Sequence, residues 1–292
     1  MMKNNLTNPF AIIDIGSNSV RCMFVSGNKR DKVTISTRLG EGLSFSNALN
    51  KNAIDRTVKV VATLYANAIK RGAQTIYAFA TAAVRNSVNG CDFTNKVKNE
   101  VGLTVDVVSG ELEAELALNG AVLGGDGGVI DVGGASSEIS FKKHGAKIYG
   151  YSLPWGAVKI FDAFGTDKEN IFNALKGLTA NYGQIPSGNY YAVGGTATSL
   201  ASVDLALTEY DPNLVNGHYI SINRMEEISN ELFSLTPSEI CAKYCVGEKR
   251  AEIIAGGSAI ILSIMRYANL SGITVSENDN LEGYMLYLGG KI

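Results

Sequence analysis

The stretch Ala11–Val25, AIIDIGSNSVRCMFV, is a run of β-branched and apolar residues broken by Asp14, Gly16, Ser17, Asn18 and Ser19 and then resumed. Such a run reads as a buried strand, a tight turn and a second strand. The device returns at residues 131–137, DVGGASS, where an aspartate again ends a strand and small residues make the turn. Glycine tolerates positive φ and lets a ligand approach the backbone closely. Successive turn N–H groups converge on an anion, and Ser or Asn side chains add donors. The aspartate repels phosphate, but it suits a Mg2+ ion that it holds through water and that bridges to phosphate oxygens. A third turn, GGTATS at 194–199, opens a helix and presents free N–H groups to an anion. One such turn alone reads most simply as a hairpin device. Three, two of them Asp-led and opening the two halves of the chain, point to phosphate loops.

Composition narrows the chemistry. At 292 residues the chain is long enough for two domains, and 46% hydrophobic with 18% charged residues is ordinary for a globular protein. No apolar run approaches the roughly 18 residues of a membrane span, and MMKNNLTNPF has no apolar signal core. The expectation is a cytoplasmic protein with no membrane partner. A net charge of −2 argues against nucleic acid as a partner. The cysteines are Cys22, Cys91, Cys241 and Cys245; only the last two are close, and their spacing reads as one buried helix face. The histidines are His144, at an expected hairpin tip, and His218. So few argue against a His-rich metal site or a Ser-His-Asp triad and point to carboxylates and backbone amides, with a hard cation as an option.

The elements follow from periodicity. Residues 10–40 read as three strands, 51–71 as a helix, TIYAFA as a strand, 91–101 as a helix and LTVDVV as a strand. Ser109 caps a helix from Gly110 to about Leu123. The pattern then restarts with GVIDV, a hairpin through SSEISFKKHGAKIYGYSL, and helices near 154–163 and 167–182. YYAVGGTATSLASV reads as strand, turn and helix. Thr236-Pro237-Ser238-Glu239 is a capping box, 249–269 a long helix, and the chain ends as strand, loop and short helix. The class is therefore α/β, with residues 1–123 as one lobe, to which the C-terminal helix 282–292 is a candidate addition, and 124–281 as the other.

Two further segments carry chemistry. VVSGELEAEL places Glu111, Glu113 and Glu115 at the start of a helix, where the dipole favours acids, so capping alone accounts for them. Arg85 follows a strand end in ATAAVRN and suits bidentate phosphate contact, or is a surface arginine.

Taken together, DIGSNSVR, FATAAVRNSVN, VVSGELEAEL, VIDVGGASSEIS, SLPWGAVKIFD, VGGTATSLAS, RAEIIAGGSAIIL and VSENDNLEGYML resemble, in order and over nearly the whole chain, the exopolyphosphatase/guanosine pentaphosphate phosphatase family. That family belongs to the actin, Hsp70 and sugar-kinase superfamily. The resemblance implies a two-lobed, ribonuclease H-like α/β fold with an interdomain phosphate-binding cleft, in the short form without added helical domains. It implies hydrolysis of a terminal phosphoryl group with Mg2+, another divalent cation or an accompanying monovalent cation, and makes a homodimer an option. Glu113 falls in the position of the catalytic carboxylate. Asp14, Asp131 and Glu138 match the acids around the cation and attacking water. Gly16, Ser17, Asn18, Ser19, Gly133, Gly134, Ser136, Ser137 and Arg85 match the phosphate contacts, and Gly194, Gly195 and Thr196 form the third turn.

There are departures. Ala135 stands where the family has a third glycine, Leu112 replaces an acid, and DNLEG at 279–283 lacks the family's arginine, with Leu281 in its place. AEIIAGG carries Glu252 and Ala255. These changes lower the expected positive charge near the cleft. Inorganic polyphosphate is the first expected substrate and guanosine pentaphosphate the second. A non-catalytic sensor of either ligand and an ATP-dependent kinase are the rivals.

Overall fold

The computed structural model describes residues 9–41, 43, 47–134 and 136–290. Its first sheet contains β1 (Phe10–Ile15), β2 (Ser19–Ser26), β3 (Lys29–Ser36), β4 (Thr75–Ala80) and β5 (Asp106–Val107), in the order β3-β2-β1-β4-β5. β1, β2 and β3 form an antiparallel meander, and β4 and β5 run parallel to β1. The second sheet contains β6 (Gly127–Val132), β7 (Ser137–Lys143), β8 (Ala146–Leu153), β9 (Tyr190–Val193), β10 (Tyr219–Ser221) and β11 (Gly272–Val275), in the order β10-β11-β9-β6-β7-β8. It repeats the plan: a meander, then two parallel strands, with antiparallel β10 added at the edge. The α/β class and the restart at GVIDV are both present.

The chain forms two compact units, one ending at Gly120 and resuming at Asn280, the other spanning Ala121–Asp279. In the first, every residue of β1 is buried, which a central strand covered on both faces requires. Strand alternation then sorts its side chains. Ala11, Ile13 and Ile15 join Val58, Val61 and Leu64 of the helix Lys51–Lys70. Phe10 and Ile12 join Phe79, Leu116, Leu281 and Tyr284 on the other face. The second unit packs β6 and β9 against the helix Ile254–Tyr267, which is buried along nearly its whole length.

Several expectations change in detail. LTVDVV pairs over Asp106–Val107 alone, while Leu103 and Val105 pack into the core. The helix expected over 249–269 breaks into Glu248–Ala251 and Ile254–Tyr267. Cys241 lies on the helix Pro237–Lys243, but Cys245 falls beyond its end at Tyr244, so the pair makes no helical face. The capping box at Thr236 forms, and His144 does sit at the tip of the β7–β8 hairpin with φ 53°.

Leu281 also needs a new account. It is fully buried beside Phe79 and Tyr284, so its substitution for arginine is a change in core packing in this chain. Beside it, Glu282 is buried and accepts from Lys32 Nζ at 2.8 Å, which ties the helix Asn280–Leu288 to β3. Gly283 meets the backbone of Leu116 so closely that a Cβ would collide with the Leu116 carbonyl. Backbone cannot move aside as a flexible side chain can. A Gly283→Ala variant should therefore lose about 1–3 kcal/mol of stability. Gly177→Ala, where a Cβ meets nothing within 4 Å on a helix, should be neutral or slightly stabilising. Urea denaturation midpoints of the two variants check this.

Candidate functional site

The two Asp-led turns are built alike. In the first, the Gly16 N–H donates to the Ser19 carbonyl at 3.0 Å; in the second, the Gly133 N–H donates to the Ser136 carbonyl at 3.0 Å. Each bond closes a four-residue link between paired strands, and Ser17, Asn18, Gly133 and Gly134 are exposed on these links. The backs of the turns are held. Gly40 N–H donates to the Ser17 carbonyl at 2.8 Å, and Thr37 and Arg38 donate to that of Asn18. In a planar trans peptide the carbonyl and the following N–H point opposite ways. The Asn18 and Ser19 N–H groups are thus directed away from the 37–40 segment, as an anion nest requires. In the second turn, Ala157 and Val158 donate to the carbonyls of Gly133 and Gly134 at 2.9 and 3.0 Å. Gly156 makes that contact fit, since a Cβ there would lie 2.5 Å from the Gly133 carbonyl oxygen. Ala135 lies outside the described residues.

The side chains differ between the units. Across the first ladder Asp14 faces Arg21, whose Nε donates to Oδ2 at 3.1 Å and whose Nη2 pairs with the same oxygen. Across the second, the corresponding partner of Asp131 is Glu138. Burial, and after it the Glu138 charge, push the Asp131 carboxyl up to about 6. Among the described residues no cationic side chain pairs with either acid. Glu138 instead accepts from the Ser152 hydroxyl at 2.8 Å.

Glu111 and Glu113 part company as well. Its own N–H and the Ser109 hydroxyl hold the Glu111 carboxyl below the usual carboxylate range, so Glu111 is the capping acid. Glu113 turns aside to Arg85, whose Nη1 donates to its Oε2 at 2.7 Å and to the Val108 carbonyl at 3.0 Å. Arg85 and Glu113, read separately in the sequence, form one ion pair.

In the third turn Gly194 has φ +78°, and a Cβ there would lie 2.6 Å from Asp131 Oδ1. The turn therefore abuts the acidic pair. Arg250 carries no phosphate-turn signal in its local sequence, yet its guanidinium lies over Gly195 where a Cβ would stand. Two expected phosphate contacts change role. The Ser137 hydroxyl is buried against the Tyr182 hydroxyl at 2.7 Å, and the Thr196 hydroxyl donates to the Val132 carbonyl at 2.7 Å. Both side chains serve the fold, leaving only backbone groups for a ligand.

Residues 29–288 match the model of the Ppx/GppA phosphatase family. The chain belongs to that family. A Ppx/GppA phosphatase structure from Aquifex aeolicus, the type II variant, superposes with a TM-score of 0.86 at 26% identity, covering 95% of this chain and 98% of that one. Among curated relatives, exopolyphosphatase 2 of Mycobacterium tuberculosis is 27% identical over 96% of this chain and 98% of its own length. The guanosine-5'-triphosphate,3'-diphosphate pyrophosphatase of Photobacterium profundum is 25% identical over 100% of this chain. The bifunctional 3-dehydroquinate synthase/phosphatase of Fusobacterium nucleatum is 29% identical over 97% of it. This Ppx/GppA chain spans 61% of the Photobacterium relative and 47% of the Fusobacterium one.

Among the described residues of this Ppx/GppA member, no three or more His, Cys, Asp or Glu side chains cluster as a metal site, and no helix is long and apolar enough to cross a membrane. Mg2+ keeps most of its waters and needs only one or two carboxylates, so the Asp131–Glu138 pair fits such an ion. Asp131 also leaves a signature in stability. Because its native pKa is raised, the folded state binds the proton more tightly than the unfolded state. Stability should therefore fall as pH rises from about 4 to about 6, by up to about 3 kcal/mol. In metal-free buffer Asp131→Asn should lack this fall, and Mg2+ at pH 7 should raise the melting temperature of the wild type more than that of the variant. Thermal melts across pH check both.

Proposed function

We propose that the protein releases the terminal phosphate of polyphosphate chains by attack of water. The observation that carries this reading is the uncompensated Asp131–Glu138 pair beside two glycine turns, in the register where the first unit has Asp14–Arg21. Two acids facing each other call for a cation, and glycine turns suit phosphate. Asp131 and Glu138 would hold Mg2+, with Asp14 the first-unit acid of the same device. When bound, that ion would neutralise charge on the phosphoryl oxygens. Glu113 is the general base that deprotonates water. Arg85 fixes the Glu113 carboxylate in one orientation, which a base must have before it can select a water.

Inorganic polyphosphate is the first substrate in this reading. The exopolyphosphatase relative is aligned over nearly its full length, which supports that choice. Guanosine pentaphosphate is the second, in line with the Photobacterium relative's name. A cytoplasmic location is part of the same reading.

The test is phosphate release with Mg2+ from long polyphosphate, short polyphosphate and guanosine pentaphosphate. Glu113→Gln should lose roughly 10²–10⁴ of turnover while ligand binding survives. Near-wild-type turnover in that variant would overturn the assignment of the base. Absence of release from every substrate by the wild type would overturn the activity.

A further inference from the structure

Like charges do not hold each other in place. In the first unit, opposite charge ties Arg21 to Asp14. In the second, the register sets Glu138 opposite Asp131 with no such tie. A glutamate side chain is long and flexible, and Glu138 is only half-buried. Repulsion from Asp131 would therefore swing its carboxylate out into water, away from the place where a cation needs it.

Ser152 opposes that movement. The pairing of Asp131 with Glu138 continues onto the next strand as Glu138 with Ser152, so the three residues form one row across β6, β7 and β8 on a single face of the sheet. The Ser152 hydroxyl donates to Glu138 Oε1 at 2.8 Å, and among the described residues no other donor reaches this carboxylate. Ser152 is itself held on a fixed stretch of strand. Leu153 beside it is buried in the core, and the Tyr151 ring stands edge-on to Tyr182. A few residues on, Ala157 and Val158 support the second turn. The matching row in the first unit runs Asp14, Arg21 and Thr34, and there opposite charge already does the holding.

We propose that Ser152 is a positioning residue for the cation site: it keeps the Glu138 carboxylate beside Asp131, ready for Mg2+. The hydroxyl orders the side chain before the ion arrives, so ion binding need not supply that ordering. Ordering one flexible side chain is worth about threefold to tenfold in affinity. The inference rests on the reading of Asp131 and Glu138 as a Mg2+ site, but not on Glu113 or on hydrolysis.

The test is calorimetric titration of Mg2+ into the metal-free full chain, with thermal melts of the same samples before metal is added. Ser152→Ala should weaken Mg2+ binding about threefold to tenfold. Its metal-free melting temperature should stay at the wild-type value, as an exposed substitution allows. Ser152→Thr keeps the hydroxyl on a residue suited to a strand and should bind Mg2+ nearly as the wild type does. Wild-type affinity in Ser152→Ala, or an equal loss in Ser152→Thr, would overturn the positioning role. So would a loss of affinity accompanied by a lower metal-free melting temperature, which marks a general defect of the strand. A wild type that takes up no Mg2+ would overturn the cation site and the inference with it. The expected affinities without phosphate release from any substrate would instead overturn the proposed activity and leave the positioning role standing.

Discussion

The hydrogen bond from Gly16 to Ser19, with its counterpart from Gly133 to Ser136, sets what each half of the molecule can do. It fixes the link between paired strands at four residues, and link length fixes register. A slip of one residue would send every side chain to the opposite face. With the register held, Asp14 must meet Arg21 and Asp131 must meet Glu138. One backbone device thereby yields two electrostatic outcomes: a compensated pair in the first unit and a like-charged pair in the second. The raised pKa of Asp131 follows from that register and from its burial.

The fold was legible where periodicity and turn chemistry agreed. FAIIDI, the meanders, the capping box at Thr236 and the restart at GVIDV all lie where alternation and small residues put them. Legibility failed where tertiary packing decides. LTVDVV has strand composition, but Leu103 and Val105 pack into the core of the first unit and the ladder begins only at Asp106. Residues 249–255, KRAEIIA, carry no helix breaker, so nothing in the local composition announces the break after Ala251. The spacing of Cys241 and Cys245 suits one helix face, but nothing in that spacing announces the helix end at Tyr244.

The candidate site divides similarly. Residues of the Asp-led turns can be picked out because each signal is local. Glu111 and Glu113 are not separated by helix-dipole chemistry, because both favour a first helical turn; the family resemblance picks out Glu113, and in the structure the arrival of Arg85 from another element distinguishes it. Ser136 and Ser137 look alike in sequence, yet strand alternation turns Ser137 inward to Tyr182. Arg250 meets the third turn across more than fifty residues of chain, and only a glycine at 195 leaves it room. The arginine missing at Leu281 showed the opposite: a charge difference that looked functional belongs to a core.

The return of the chain to its first unit has a temporal side. Leu281 and Tyr284 complete the cluster formed by Phe10, Ile12, Met23, Phe79 and Leu116. On a ribosome, those five residues are made long before the two that close over them. The unit spanning Ala121–Asp279 has its whole sequence in hand first. Domains usually mature from the N-terminus onward; here the second-encoded unit is the first able to finish. The opening strand and the face that carries Asp14 must wait, partly uncovered, for the last helix to arrive.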